Sequence, residues 1–222
     1  MRKRFTYKDL ADSGEFYFPI FLAIFDANCV YHKAIGWNGK LNTDNPRCTI
    51  QNYLNCGYDD FRYISDIIPI YNRCFIELLS KAEPLVALPL IRLQLENLTA
   101  IYAETLYPFK ILHKLYEGRK ELGKIKVAGN NIVPSKLREA IDNKFDSSIS
   151  DLYKKYSGFV HPSKNQSTLE MRSYFNYKEE MYVAPKKEVK KFAQDMIYVN
   201  QIISNILLAH LEDIKSKINQ VN

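Results

Sequence analysis

The stretch from Tyr153 to Ser163 reads YKKYSGFVHPS and carries a dense set of side chains able to do chemistry. Ser150, Lys154, Ser157 and His161 are spaced four, three and four residues apart, so on a helix they share one face, opposite the tyrosines. That face offers a hydroxyl, an ammonium, a second hydroxyl and an imidazole. Pro162 disfavours helical geometry at the residue before it, which places His161 at the helix end. A helix C-terminus favours the imidazolium, and an imidazolium there can donate a proton or hold a phosphate. The same spacing also describes a solvated helix face closed by a His-Pro pair. Both readings predict a helix over 148–160, with Ile149, Leu152, Tyr153, Tyr156 and Val160 as its apolar side.

A second pair of chemically active residues sits in PLVALPLIRLQLENLTAIYA, Pro84 to Ala103. This segment is apolar almost all round, the pattern of a buried helix. Arg92 and Glu96, one turn apart, share a face with Leu85, Leu88, Thr99 and Ala103, so neither charge has an evident route to water. Buried charges are paired or put to use. The chain is therefore expected to pack around this helix, with a polar site at Arg92 and Glu96.

The remaining elements follow from periodicity. Phe16 to Tyr31 is apolar and reads as a helix with Pro19 in its first turn, after a polar, basic arm over residues 1–15. Ile35 to Gly57 is rich in turn formers and reads as a long connection containing Trp37. Phe61, Ile64, Ile68, Tyr71, Phe75 and Leu78 predict an amphipathic helix over 59–79, with a kink at Pro69. Ser80 and Glu83 have the spacing of a capping box for the central helix. Pro89 predicts a bend there or a later start. A short helix is expected over 108–116, a loop over 117–135, and a further helix over 136–145. Residues 168–183 suit a small hairpin. Pro185 opens a closing helix to about Ile218, whose core-facing stripe runs through Val189, Phe192, Met196, Val199, Ile203, Ile206 and Ile214, with His210 at the core edge. The fold class is all-α, a helical bundle with at most one small hairpin, in one domain over 1–222 with its helical core at about 59–218.

The chain has 222 residues, 46% hydrophobic and 25% charged, a globular composition long enough for a sizeable core. Its net charge of +6 with 16 Tyr and 12 Phe suits an anionic partner such as RNA or a nucleotide. Across residues 110–138 eight basic side chains (Lys110, Lys114, Arg119, Lys120, Lys124, Lys126, Lys136, Arg138) face only Glu117 and Glu121. They make either a solvated flexible segment or a basic lip for a phosphate backbone. Met1-Arg2-Lys3-Arg4 before FYFPIFLAIF imitates a signal peptide, but Asp9, Asp12 and Glu15 interrupt it and no small-residue cleavage site follows. Arg92 or Glu96 at the centre of a membrane span would cost roughly 2.5–3.5 kcal/mol. A soluble, cytoplasmic protein is expected, with no membrane partner. Cys29, Cys48, Cys56 and Cys74 form no C-x-x-C pair and read as buried free thiols. Cys29, His32, Cys48 and Cys56 could supply four zinc ligands, though the spacing of the second pair is not that of a zinc knuckle. The four histidines are scattered, so no metal centre and no cofactor is assigned.

An Arg-x-x-x-Glu on a hydrophobic helix, Arg92 to Glu96, followed by Ser-x-x-Val-His-Pro-Ser, Ser157 to Ser163, resembles a group of bacterial proteins similar in turn to HEPN domains. The resemblance rests on Leu90 to Glu96 and Tyr153 to Ser163, framed by the helical pattern. It implies a helical bundle of the kind common in toxin–antitoxin and phage-defence systems, often a homodimer, with an antitoxin-like protein as a partner. HEPN ribonucleases cut RNA without metal through an Arg-x4–6-His motif. His161 matches the histidine of that motif. The arginine positions are held here by Tyr156, Lys155 and Lys154, and lysine lacks the bidentate fork of arginine. The resemblance thus implies His161 as acid and base, Arg92 and Lys154 as phosphate ligands, Ser157 as a hydrogen-bond partner, and Glu96 as the group orienting Arg92 or His161. The alternative from a different class is a non-catalytic helical module binding a nucleotide, RNA or a protein, in which Arg92, Glu96 and His161 form an internal polar network.

Overall fold

The computed structural model describes residues 23–24, 26–27, 30, 50–81, 83–107, 110–116, 121–160, 174–176, 181–183 and 186–221, with the backbone alone for 50–63, 65, 116, 174–176, 181–183, 186 and 221. The architecture is all-α with small hairpins. Its helices are α1 (Ile50–Ser80), α2 (Pro84–Leu106), α3 (Leu112–Tyr116), α4 (Pro134–Phe145), α5 (Ile149–Val160) and α6 (Lys186–Val221). Strands β1 (Lys126–Val127) and β2 (Asn130–Asn131) form one antiparallel pair, and β3 (Tyr174–Asn176) and β4 (Met181–Val183) another. No helix among the described residues is long and apolar enough to cross a membrane.

The chain divides into two compact units. Among the described residues the first combines Ile67–Leu98 with those of Arg138–Ile202. Its core takes Ala87, Leu88, Ile91, Leu95 and Leu98 from α2, at helical spacing and all buried, together with Phe75 of α1, Tyr156 of α5 and Met196 of α6. Each such side chain, fully removed from water, contributes roughly 1.5–3 kcal/mol. The expected hairpin over 168–183 belongs to this unit, as β3 and β4 with Phe175 opposite Tyr182.

The second unit combines Phe16–Asp66, Thr99–Leu137 and Ile203–Asn222. Ile101 and Ala103 of α2, Ile111, Ile125 and Leu207 of α6 are buried here. Glu104, itself buried, accepts hydrogen bonds from the Ile111 and Leu112 backbone N–H groups, both at 2.9 Å, and so holds the start of α3. The stretch expected as loop, 117–135, contains a short 3₁₀ turn at Leu122–Lys124 and the β1–β2 hairpin. Ala128 and Gly129 at its tip have φ of 49° and 83°, the left-handed pair that matches the twist of a two-residue hairpin. Buried Ile125 and Ile132 flank the strands, and the Ile132 N–H donates to the Ile125 carbonyl at 2.9 Å, which anchors the hairpin.

Several element boundaries differ from expectation for physical reasons. α1 begins at Ile50, so the tail of the connection expected over 35–57 is helical, Gly57 included. As expected, Pro69 lies inside α1; α2 likewise runs through Pro89. In α2 the helix starts at Pro84, not later, and continues although Pro89 in its second turn removes one intrahelical donor and crowds the carbonyl one turn before it. The capping box is not formed: the Ser80 hydroxyl donates to the Glu77 carbonyl at 2.7 Å and closes α1 instead of opening α2. The core stripe of α6 is as expected at Phe192, Met196, Val199, Ile203, Ile206 and Ile214, and His210 is buried beside it. Cys74 is exposed, against the expectation of a buried thiol. The arm over 1–15, Trp37, Cys29, His32 and Cys48 lie outside the described residues, and of Cys56 only the backbone is described.

Candidate functional site

Arg92 is the hub of a polar cluster in the first unit. Its side chain leaves α2 with only 15% of its surface exposed and meets α5. Nε donates to the Ser157 hydroxyl at 3.0 Å, and Nη2 donates to the Tyr153 hydroxyl. Nη1 stands 2.6 Å from Glu96 Oε1 but off the line of a hydrogen bond, so that contact is one of charge. The Ser157 hydroxyl in turn donates a hydrogen bond to the Tyr153 carbonyl at 2.7 Å. Arg92 and Ser157 therefore have their main bonding directions committed within the protein.

Tyr153 is enclosed by two cations. The Arg92 guanidinium carbon lies 3.6 Å from its ring centroid and that of Arg138, from α4, lies 3.5 Å from it. Two guanidinium groups that close to one point cannot occupy the same face without overlapping, so they take opposite faces. Each gains from the ring quadrupole, and the ring separates two like charges. Burial lowers the Arg138 pKa from its ordinary value, and Arg92 pushes the same way; Tyr153 and Glu96 oppose them. Arginine remains charged regardless.

The angle between α4 and α5 is fixed by Asp142. Its carboxylate accepts from the Ser147 hydroxyl at 2.7 Å and from the Ile149 and Ser150 backbone N–H groups at 2.6 and 3.0 Å. These are orphan donors of the first turn of α5, so a residue of α4 serves as its cap. Burial alone would raise the Asp142 pKa, but the Ser150 and Ser147 hydroxyls and these amides outweigh it and hold the carboxyl below its ordinary value. The Ser150 hydroxyl itself is buried without an aligned hydrogen bond, so it contributes through its dipole. Because Arg138 precedes Asp142 by one turn and Tyr153 follows Ile149 by one turn, this cap also sets the stack of Arg138 on Tyr153.

On another side of α5, buried Tyr156 donates to Asp195 Oδ2 of α6 at 2.6 Å, and Lys155 pairs with the same oxygen at 2.5 Å. Burial, then the Asp195 carboxylate, push the Tyr156 pKa far up, so this phenol stays protonated and donating. Deeper still runs a chain of amides. Asn97 donates to Gln94 at 3.3 Å, Gln94 to Asn200 at 2.9 Å, and Asn200 to Asn72 at 3.0 Å, linking α2, α6 and α1 through buried side chains.

The structure unites some of the expected site residues and separates others. Arg92, Glu96 and Ser157 come together. Glu96 does have a route to water, with 52% of its side chain exposed, because α2 shows a narrow solvent face through Val86, Leu93 and Glu96. Lys154 does not join them: it points to solvent, 3.6 Å from the equally exposed Asp151. His161 lies outside the described residues, directly after the last residue of α5. The expected stripe of Ser150, Lys154 and Ser157 is therefore split, and Tyr153, assigned to the apolar side, belongs with Ser150 and Ser157 instead. Val160, expected as apolar core, is 47% exposed. Arg138 was counted with the basic lip, yet it folds over Tyr153, whereas Lys124, Lys126 and Lys136 are exposed. The signal for Tyr153 was in the spacing, three after Ser150 and four before Ser157; Arg138 had none beyond its charge. Among the described residues no cluster of His, Cys, Asp and Glu could hold a metal ion. No family model, curated protein or solved structure matches this chain.

Proposed function

We propose that this chain is an HEPN-like helical protein that acts on RNA, a metal-independent endoribonuclease of the toxin–antitoxin or phage-defence type with His161 as its acid and base. The observation that supports it is the bond from Arg92 to Ser157, which brings the arginine of the central helix to α5, the helix that His161 follows. In this reading His161 removes the proton of the attacking 2′-hydroxyl as the new oxygen–phosphorus bond forms. The bond to the 5′-oxygen breaks, that oxygen takes up a proton, and a nearby guanidinium stabilises the charge on phosphorus. Lys154, exposed on a solvated face, serves as an outer contact to the backbone.

The test is incubation of labelled single-stranded and structured RNA with the purified protein in EDTA, beside His161→Ala. Cleavage that survives EDTA and disappears in the variant is the expected result. Equal cleavage by both proteins, or by neither when both are folded, overturns the catalytic reading.

A second reading, a non-catalytic RNA- or protein-binding module, is favoured by the saturation of Arg92. All three of its nitrogens meet protein groups, as they would in a strut between α2 and α5. Arg92→Ala is then expected to cost about 1–3 kcal/mol, mainly through the bonds to Ser157 and Tyr153, because Glu96 can turn to water. A denaturant titration measures this; an unshifted midpoint rules out the strut.

A further inference from the structure

We propose that the outer edge of the Arg138 guanidinium and the hydroxyl of Tyr153 bind a single phosphate group of the RNA backbone, without reading the attached base. The proposal deepens the RNA reading above, on which the identity of the phosphate carrier rests.

Charge balance is the first ground. Arg92, Arg138 and Glu96 meet around Tyr153 as two cations and one half-exposed carboxylate, and Lys154 is offset by Asp151. The cluster keeps a net positive charge in a partly desolvated position, where an anion gains more than it would at an open surface. Donor geometry is the second ground. Arg92 is committed to Ser157, Tyr153 and Glu96, whereas Arg138 has no ion pair among the described residues and is engaged by Tyr153 alone, through the ring and a side-chain hydrogen bond, which leaves N–H groups of its fork unused. The in-plane N–H groups of Arg138 form the fork that suits a phosphate's two oxygens. Tyr153 accepts at its oxygen from Arg92, which leaves its own proton to donate.

The third ground concerns what the site refuses. Single-stranded nucleic acid is often held by bases stacked on aromatic faces. Both faces of Tyr153 are already occupied by guanidinium groups, so no base can stack there. What remains is a backbone contact, which positions RNA and carries no sequence information.

The experiment is an anisotropy titration of labelled oligo-A and oligo-U against the full chain across a salt series, with Arg138→Ala, Arg138→Lys and Tyr153→Phe. Inorganic pyrophosphate is titrated alongside in a thermal melt, and circular dichroism verifies folding. Oligo-A and oligo-U are expected to bind within about threefold of each other, as a backbone contact requires. Arg138→Ala should weaken both about tenfold and flatten the log–log salt slope by about 0.7, one phosphate contact on a single strand. Arg138→Lys should restore the slope but only part of the affinity, for want of the fork. Tyr153→Phe, which keeps the stack, should lose affinity without changing the slope. A preference for one base above about tenfold, or full binding by a folded Arg138→Ala protein, overturns the proposal while leaving an RNA function standing. Pyrophosphate that stabilises the wild type but not Arg138→Ala, with no RNA bound, supports the phosphate site and overturns the RNA reading. No binding of either probe overturns both.

Discussion

Asn200→Ala is expected to destabilise the protein by about 3 kcal/mol or more, because it strands the Gln94 amide and the Asn72 carbonyl oxygen in the core at roughly 1–3 kcal/mol each. Asn200 is wholly buried on α6, donating to α1 and accepting from α2, so no water can replace it without a cavity to hold it. The chain already ends in one buried donor, Asn72 Nδ2, without an aligned partner among the described residues. Further loss therefore falls on a network that already carries one unaligned donor. Denaturant titration should show a lower midpoint with little change in slope. A double-mutant cycle with Asn72→Ala should be non-additive by about 0.5–3 kcal/mol, since the two share a bond. A loss under about 1 kcal/mol with additive behaviour would mean that the amides are solvated in the folded protein.

Asp142→Ala should cost about 2 kcal/mol, the upper range for a helix cap, because one carboxylate serves a hydroxyl and two backbone donors of α5. The effect should be pH-dependent with a definite sign. The folded carboxyl titrates below its ordinary value of 3.8, so it contributes its full stabilisation above that pH. As pH falls through 3.8 toward the lower folded value, protonation removes the acceptor charge and the contribution disappears. Wild type and Asp142→Asn should differ at neutral pH and converge in acid. A difference that stays constant to pH 2 would assign the loss to packing. The second consequence is local: without the cap, the stack of Arg138 on Tyr153 should loosen before the core does.

The long helices were legible because their burial is written in periodic runs. In α6 the stripe from Phe192 to Ile214 recurs every three or four residues and is buried as that pattern requires. In α2 the same abundance of apolar residues concealed a solvent face. Val86 is 59% exposed and Leu93 38%, so leucine and valine stand where a polar residue would have marked the outside, and Glu96 emerges beside them. Hydrophobicity says which residues can be buried, not which ones are. Of the two expectations at Pro89, the later start fails, because the helix already begins at Pro84, and the sequence does not state how far a proline lies from the helix start. Tyr153 was misassigned because a tyrosine is apolar along its body and polar at its tip, and only contact with Arg92 decides which end matters. The pairing of Arg138 with α5 depends on Asp142 reaching across from α4, an arrangement in space with no local pattern.

The enclosed ring of Tyr153 has a consequence for how this sequence can drift. The phenol acts as an insulator between two permanent cations, so Arg92, Tyr153 and Arg138 constrain one another as a unit of substitution. Removing the ring first would leave two guanidinium groups facing each other, whereas losing either arginine first leaves a tyrosine that still has one partner. Lineages that abandon the cluster should therefore lose an arginine before they lose the ring, and those that keep both arginines should carry an aromatic residue at position 153.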